Sequence, residues 1–280
     1  MSCRLFSVRV VVVVLLGACT ESTGGERFDF AAAAGGASES ALPFTNQRGW
    51  SIDLSRAELS VGPVYLNAAA PLRGQAVSWW SQWVPMAHAA GEDHLAGGRV
   101  LGEVLGRVTF DALSPVLVPF STPGTATSEQ VRTADVWLYP PPGVSAEATK
   151  NIPASLSVAG VASRGQDSIP FRGELKIDEN WLPEALPGSR ASRTVMSLRQ
   201  IRGLSFSFLP KPGGRLEMRV DVRELFRGAD FGSLEIAQRA KDGSYVLSQA
   251  AGATDQVMTN LYQGLRATRG VYAFTWQGSD

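Results

Sequence analysis

The residues best suited to chemistry crowd into one stretch, Pro71 to Gly98. Both histidines of the chain, His88 and His94, fall seven positions apart inclusive, with Met86 just before them and Glu92 and Asp93 between them. Two neutral imidazoles can meet on one cation if the chain folds back, and Gly91, Gly97 and Gly98 supply the backbone freedom. Glu92, Asp93 or Met86 would then complete the shell. Imidazole suits copper and zinc, and a thioether favours Cu(I), so the expected metal is copper first and zinc second. The same stretch holds Trp79, Trp80 and Trp83, three of the seven tryptophans. Tryptophan is enriched at binding hot spots, so a metal-free alternative is an aromatic surface for protein or glycan contact. The plainest alternative is an ordinary exposed loop, because H-x5-H is far less specific than a zincin helix.

Other catalytic signatures are absent. There is no dinucleotide fingerprint, no Gly-Lys pair of a P-loop, no H-E-x-x-H, no G-x-S-x-G elbow, no S-x-x-K and no C-x-x-C. A Ser–His–Asp arrangement can assemble across a fold, but only His88 or His94 could supply its base, which leaves a hydrolase the least supported class. The carboxylate pairs Glu92/Asp93, Asp178/Glu179 and Asp221/Glu224 read as solvated charges. The 26 basic and 26 acidic side chains balance to zero net charge, which argues against nucleic acid as a partner.

The elements that must position these groups are mostly strands. Ile169, Phe171, Gly173, Leu175 and Ile177 alternate with polar residues, as do Leu216, Met218, Val220 and Val222. Leu204, Phe206 and Phe208 lead through Pro210–Gly214 into the Leu216 strand, a pattern that predicts a hairpin with a long turn. Further strands are expected near 27–32, 50–54, 57–66, 107–112, 134–139, 156–162, 245–248 and 271–277, the last with Tyr272, Phe274 and Trp276 on one face. One helix stands out. Thr254 can cap it, Val257, Met258, Leu261, Tyr262 and Leu265 form its apolar stripe, and Gly270 follows its end. Leu101 to Leu105 suits a helical turn, and Glu224 to Phe231 a short helix. Many short strands with one late short helix predict an all-β fold, an antiparallel β-sandwich or jelly-roll-like body. No composition break divides residues 27–280, which are expected to form a single β-rich domain.

The first residues read as a targeting signal. Arg4 and Arg9 precede nine uninterrupted apolar residues, Val10 to Ala18, too short for a membrane span and suited to a signal-peptide core. Leu16-Gly17-Ala18-Cys19 resembles the lipobox of bacterial lipoproteins. The resemblance implies that residues 1–18 are a lipoprotein signal peptide and that Cys19 carries acyl chains, each buried CH2 contributing about 0.8 kcal/mol to membrane attachment. Residues 19–26 would be the lipidated Cys and a flexible Gly/Ser/Thr tether. Thr20, where an Asp would signal inner-membrane retention, points to the outer membrane. Cleavage would remove Arg4, Arg9 and Cys3, leaving 24 basic against 26 acidic side chains and no disulfide.

The layout also resembles secreted copper-associated β-rich proteins related to the periplasmic partner of methanobactin biosynthesis. The resemblance lies in Phe28-Asp-Phe30, Gly49-Trp50, the segment Ala57 to Leu66, the His88–His94 loop and Leu216 to Val222 before Leu225-Phe226. It implies a β-sandwich that handles copper through His88 and His94, with Trp79, Trp80 or Trp83 nearby.

Overall fold

A computed structural model of the chain describes residues 26–68, 99–138, 154–177, 198–234, 239–247 and 255–278. The fold is all-β and sandwich-like, and its organiser is one long strand, β3 (Ser51–Asn67). Ile52, Leu54, Ala57, Leu59, Val61, Val64 and Leu66 of β3 are buried, so the whole strand is committed to the core. A single continuous strand stands here in place of the two expected at 50–54 and 57–66.

Three short strands lie antiparallel along one edge of β3: β2 (Phe44–Thr45), β5 (Val108–Asp111) and β4 (Val100–Val104). The expected helical turn at Leu101–Leu105 is therefore strand β4. Along the opposite edge β3 changes partner, from β9 (Leu156–Arg164) over residues 51–59 to β8 (Val131–Leu138) over residues 61–67. The change falls between Leu59 and Val61, and the cis peptide Gly62-Pro63 sits just beyond it, within the register shift between Val61 and Val64. A Cβ on Gly62 would lie 2.3 Å from the Gly106 carbonyl oxygen, so the close crossing there requires glycine.

Two sheet portions extend from β3. The first runs through β9 to β10 (Asp167–Leu175) and β13 (Tyr245–Leu247), with β10 and β13 parallel. Beneath it Trp50, Phe171, Phe226 and Phe231 pack ring against ring at 4.8 to 6.4 Å. Helix α1 (Gln256–Leu265) closes this cluster with Val257, Met258, Leu261, Tyr262 and Leu265, the stripe expected from periodicity. Its cap is Asp255, which accepts from the Met258 amide at 3.0 Å, rather than Thr254, which lies outside the described residues. In place of the short helix expected at Glu224–Phe231 stand two 3-10 turns, Val222–Phe226 and Phe231–Ser233.

The second portion runs through β4, β7 (Gly124–Thr127), β1 (Arg27–Gly36) and β12 (Arg215–Val220) to β14 (Tyr272–Gln277), while β6 (Val118–Pro119) pairs with β1. On the other side of β3, β8 is followed by β11 (Gln200–Phe208). The eight strands β11, β8, β3, β4, β7, β1, β12 and β14 curl until the first and last touch. That seam is closed by stacked rings, Phe206 on Phe274 at 4.8 Å and Phe208 on Trp276 at 5.6 Å. No backbone ladder joins β11 to β14 among the described residues.

One expectation fails here. The predicted hairpin of β11 and β12 does not form: β11 pairs with β8, and β12 lies between β1 and β14. The sheet is also mixed, because β1 with β12 and β10 with β13 run parallel.

Candidate functional site

Strand register places a row of polar side chains on one face of β3 and β8. Leu66 pairs with Ala134 and Val64 with Val136, and these face the hydrophobic core. Alternation then sends Tyr65 and Asn67 of β3, and Thr133, Asp135 and Trp137 of β8, to the opposite face. Register adds Gln200 of β11 opposite Trp137, and Glu103 of β4 opposite Tyr65.

Asn67 and Asp135 are 0% exposed and Trp137 is 9% exposed. Asp135 is held at one oxygen only. Strand β11 carries a bulge between Ile201 and Leu204, where Gly203 adopts φ +70°, and the Gly203 amide donates to Asp135 Oδ1 at 2.9 Å. Asp135 Oδ2, both side-chain polar atoms of Asn67 and Trp137 Nε1 find no hydrogen-bond partner among the described residues. Each such buried orphan costs about 1–3 kcal/mol, so four on one face mark a place shaped for something other than stability. Burial pushes the Asp135 carboxyl above the usual carboxylate range, against the opposing pull of the Gly203 amide and Arg202. Burial, followed by the charge of Glu103, raises the Tyr65 phenol.

The row runs outward from its buried end. Tyr65 is half-buried and Glu103 is partly exposed. Arg27 on β1 donates to Glu103 Oε1 at 3.1 Å and to Thr125 Oγ1 at 2.7 Å, and so borders the row with a fixed cation. Arg202 donates through Nε to Gln200 Oε1 at 2.7 Å. The orphaned atoms of this row comprise two acceptors, Asn67 Oδ1 and Asp135 Oδ2, and two donors, Asn67 Nδ2 and Trp137 Nε1; a fifth orphan, Trp276 Nε1, lies on β14. Hydroxyl groups, which donate and accept at the same atom, complement that set.

The site residues singled out in the sequence are not among those described. Cys19, Trp79, Trp80, Trp83, Met86, His88, Glu92, Asp93 and His94 all fall outside the described residues. Among the described residues no three His, Cys, Asp or Glu side chains gather to hold a metal ion. None of the described helices is long and apolar enough to cross a membrane. Asp221 is tied to Arg223 at 2.8 Å and caps a 3-10 turn, a structural role.

Sequence reasoning missed Asn67 and Asp135. The available sign was slight, an acid between Ala134 and Val136 in a strand that runs on into Trp137 and Leu138. Comparison with protein-family models, with curated proteins and with solved structures finds no match.

Proposed function

We propose that this chain is a lipid-anchored binding protein of the bacterial envelope whose β body holds a neutral, hydroxyl-rich ligand against Asn67, Asp135 and Trp137. The observation that carries the ligand reading is the set of four buried polar atoms without partners on one strand face. The membrane reading rests on the leader and on Leu16-Gly17-Ala18-Cys19. Binding sites of this kind place a few convergent polar groups beside aromatic surface, and Trp137 and Tyr65 supply that surface here. An anionic ligand is disfavoured, because the carboxylate of Asp135 is the charged group among the orphans.

The test is calorimetric titration of the full chain in detergent micelles with glucose, N-acetylglucosamine and a chitin oligomer, with inorganic phosphate as the anionic control. At least one sugar is expected to bind and phosphate is not. Trp137→Phe removes the indole N–H while keeping an aromatic ring, and should weaken binding roughly three- to tenfold, the worth of one hydrogen bond. Binding of none of the sugars, or equal binding by the variant, would overturn the assignment.

A second reading has one sequence observation behind it, the seven-residue spacing of His88 and His94 beside Met86, Glu92 and Asp93. In that reading the anchored body carries copper, or zinc, at the two imidazoles. The same titration repeated with Cu(II) and Zn(II) addresses it.

A further inference from the structure

The outward face of the first sheet portion carries a furrow that the polar row does not use. A cleft of about 460 Å³ is lined by Arg56, Ser157, Ala159, Arg172, Glu174 and Val246, with backbone between them. Its order follows from register. Arg56 pairs with Ala159, Ala159 with Arg172, and Arg172 with Val246, which sets two guanidiniums in one row on either side of a small residue. Two residues along β9, Glu58 pairs with Ser157 and Ser157 with Glu174, which sets two carboxylates on either side of a second small residue. Strand spacing puts each pair of flanking Cα atoms about 10 Å apart, and the two rows lie about 6.8 Å apart along β9.

These charges are exposed, and their existing partners hold them lightly. Arg56 lies 3.6 Å from Glu58, Arg172 2.6 Å from Asp242, and Lys176 3.2 Å from Glu174. Exposed pairs of this kind contribute at most about 1 kcal/mol, so an incoming group can share them. Val161 and Val246, each 38% exposed, add apolar surface beside the charged rows.

We infer that this furrow docks an extended peptide segment bearing an acidic and a basic side chain two positions apart. In an extended chain, residues i and i+2 project to the same side about 6.8 Å apart, the separation of the two rows. The acidic side chain meets Arg56 and Arg172, where a planar guanidinium fits a carboxylate, and the basic one meets Glu58 and Glu174. Adjacent opposite charges would point to opposite sides, so only one of the two reaches the furrow. The site is separate from the polar row and stands or falls independently of the ligand proposed there.

The experiment measures binding of two end-capped pentapeptides to the full chain in detergent micelles by calorimetry at low salt. Ala-Glu-Ala-Lys-Ala is expected to bind at least tenfold more tightly than its permutation Ala-Glu-Lys-Ala-Ala, and the preference should shrink at high salt. Arg172→Glu reverses one wall of the exposed row and should remove the preference with the melting temperature nearly unchanged. Trp137→Phe should leave it intact. Equal binding of the two peptides, binding of neither, or an undiminished preference in Arg172→Glu would overturn the inference.

Discussion

Asp135 is buried with one oxygen anchored and the other without a partner, and its titration should be visible in the stability of the whole chain. Its folded-state pKa is raised, so the unfolded chain ionises at this position first as pH rises through about 4. Over that window the native state holds the extra proton, and the contribution of Asp135 to stability is lost as pH climbs through its raised value. Asp230 and Asp242 act in the opposite sense. A hydrogen bond from Trp50 Nε1 lowers Asp230, and bonds from Ser244 hold Asp242 at about 2, so the contributions of these two are lost as pH falls through their own values. A difference measurement isolates the first effect. Asp135→Asn keeps the acceptor for the Gly203 amide and removes the charge, and its melting curve should rise relative to the parent as pH goes from 4 to 8. Melting temperatures that run parallel across that range would contradict the burial argument.

At the scale of elements, the contact between α1 and the 3-10 turn Val222–Phe226 sets two familiar effects against each other. Gly264 lies inside α1, where alanine would gain about 1 kcal/mol of helix propensity. A Cβ there would stand 2.7 Å from Leu225 Cα and 2.8 Å from the Leu225 carbonyl oxygen, and backbone cannot step aside as a flexible side chain can. Overpacking of this kind costs about 1–3 kcal/mol, so the clash wins. Gly264→Ala is expected to lower the melting temperature by a few degrees, read by circular dichroism, and an increase would show that the turn yields. The apolar stripe of α1 was legible in the sequence because helical periodicity is local. The partners of the strands were not. Alternation marks Leu204–Phe208 and Leu216–Val222 as strands, and Pro210–Gly214 as a turn, yet β11 pairs with β8, with register shifts at Gly203 and before Phe208 that no local pattern announces. Leu101–Leu105 had no caps to support a helix, and pairing with β3 made it a strand.

For the whole molecule, the all-β class followed from short alternating segments, while the mixed direction of the sheet depended on long-range pairings that no local pattern records. The polar row shares that dependence. Asn67 and Asp135 come from strands 68 positions apart in the chain and become neighbours only through register, so their chemistry was hidden in the sequence, whereas the His88 and His94 spacing was conspicuous there. The proposed anchoring belongs to this scale as well, since it concerns where the entire body resides. Cys19→Ala in the producing cell is expected to abolish acyl labelling and release the protein from the membrane fraction, and persistence of both would refute the lipobox reading. The ring of eight strands, meanwhile, is complete except at one line. Seven of its junctions are ladders of directional hydrogen bonds, which resist sliding, and the eighth is Phe206 and Phe208 lying on Phe274 and Trp276. Stacked rings tolerate lateral slip that a ladder does not, so the barrel-like half behaves as a split collar. A distortion of the ring is therefore expected to be relieved at the slit first.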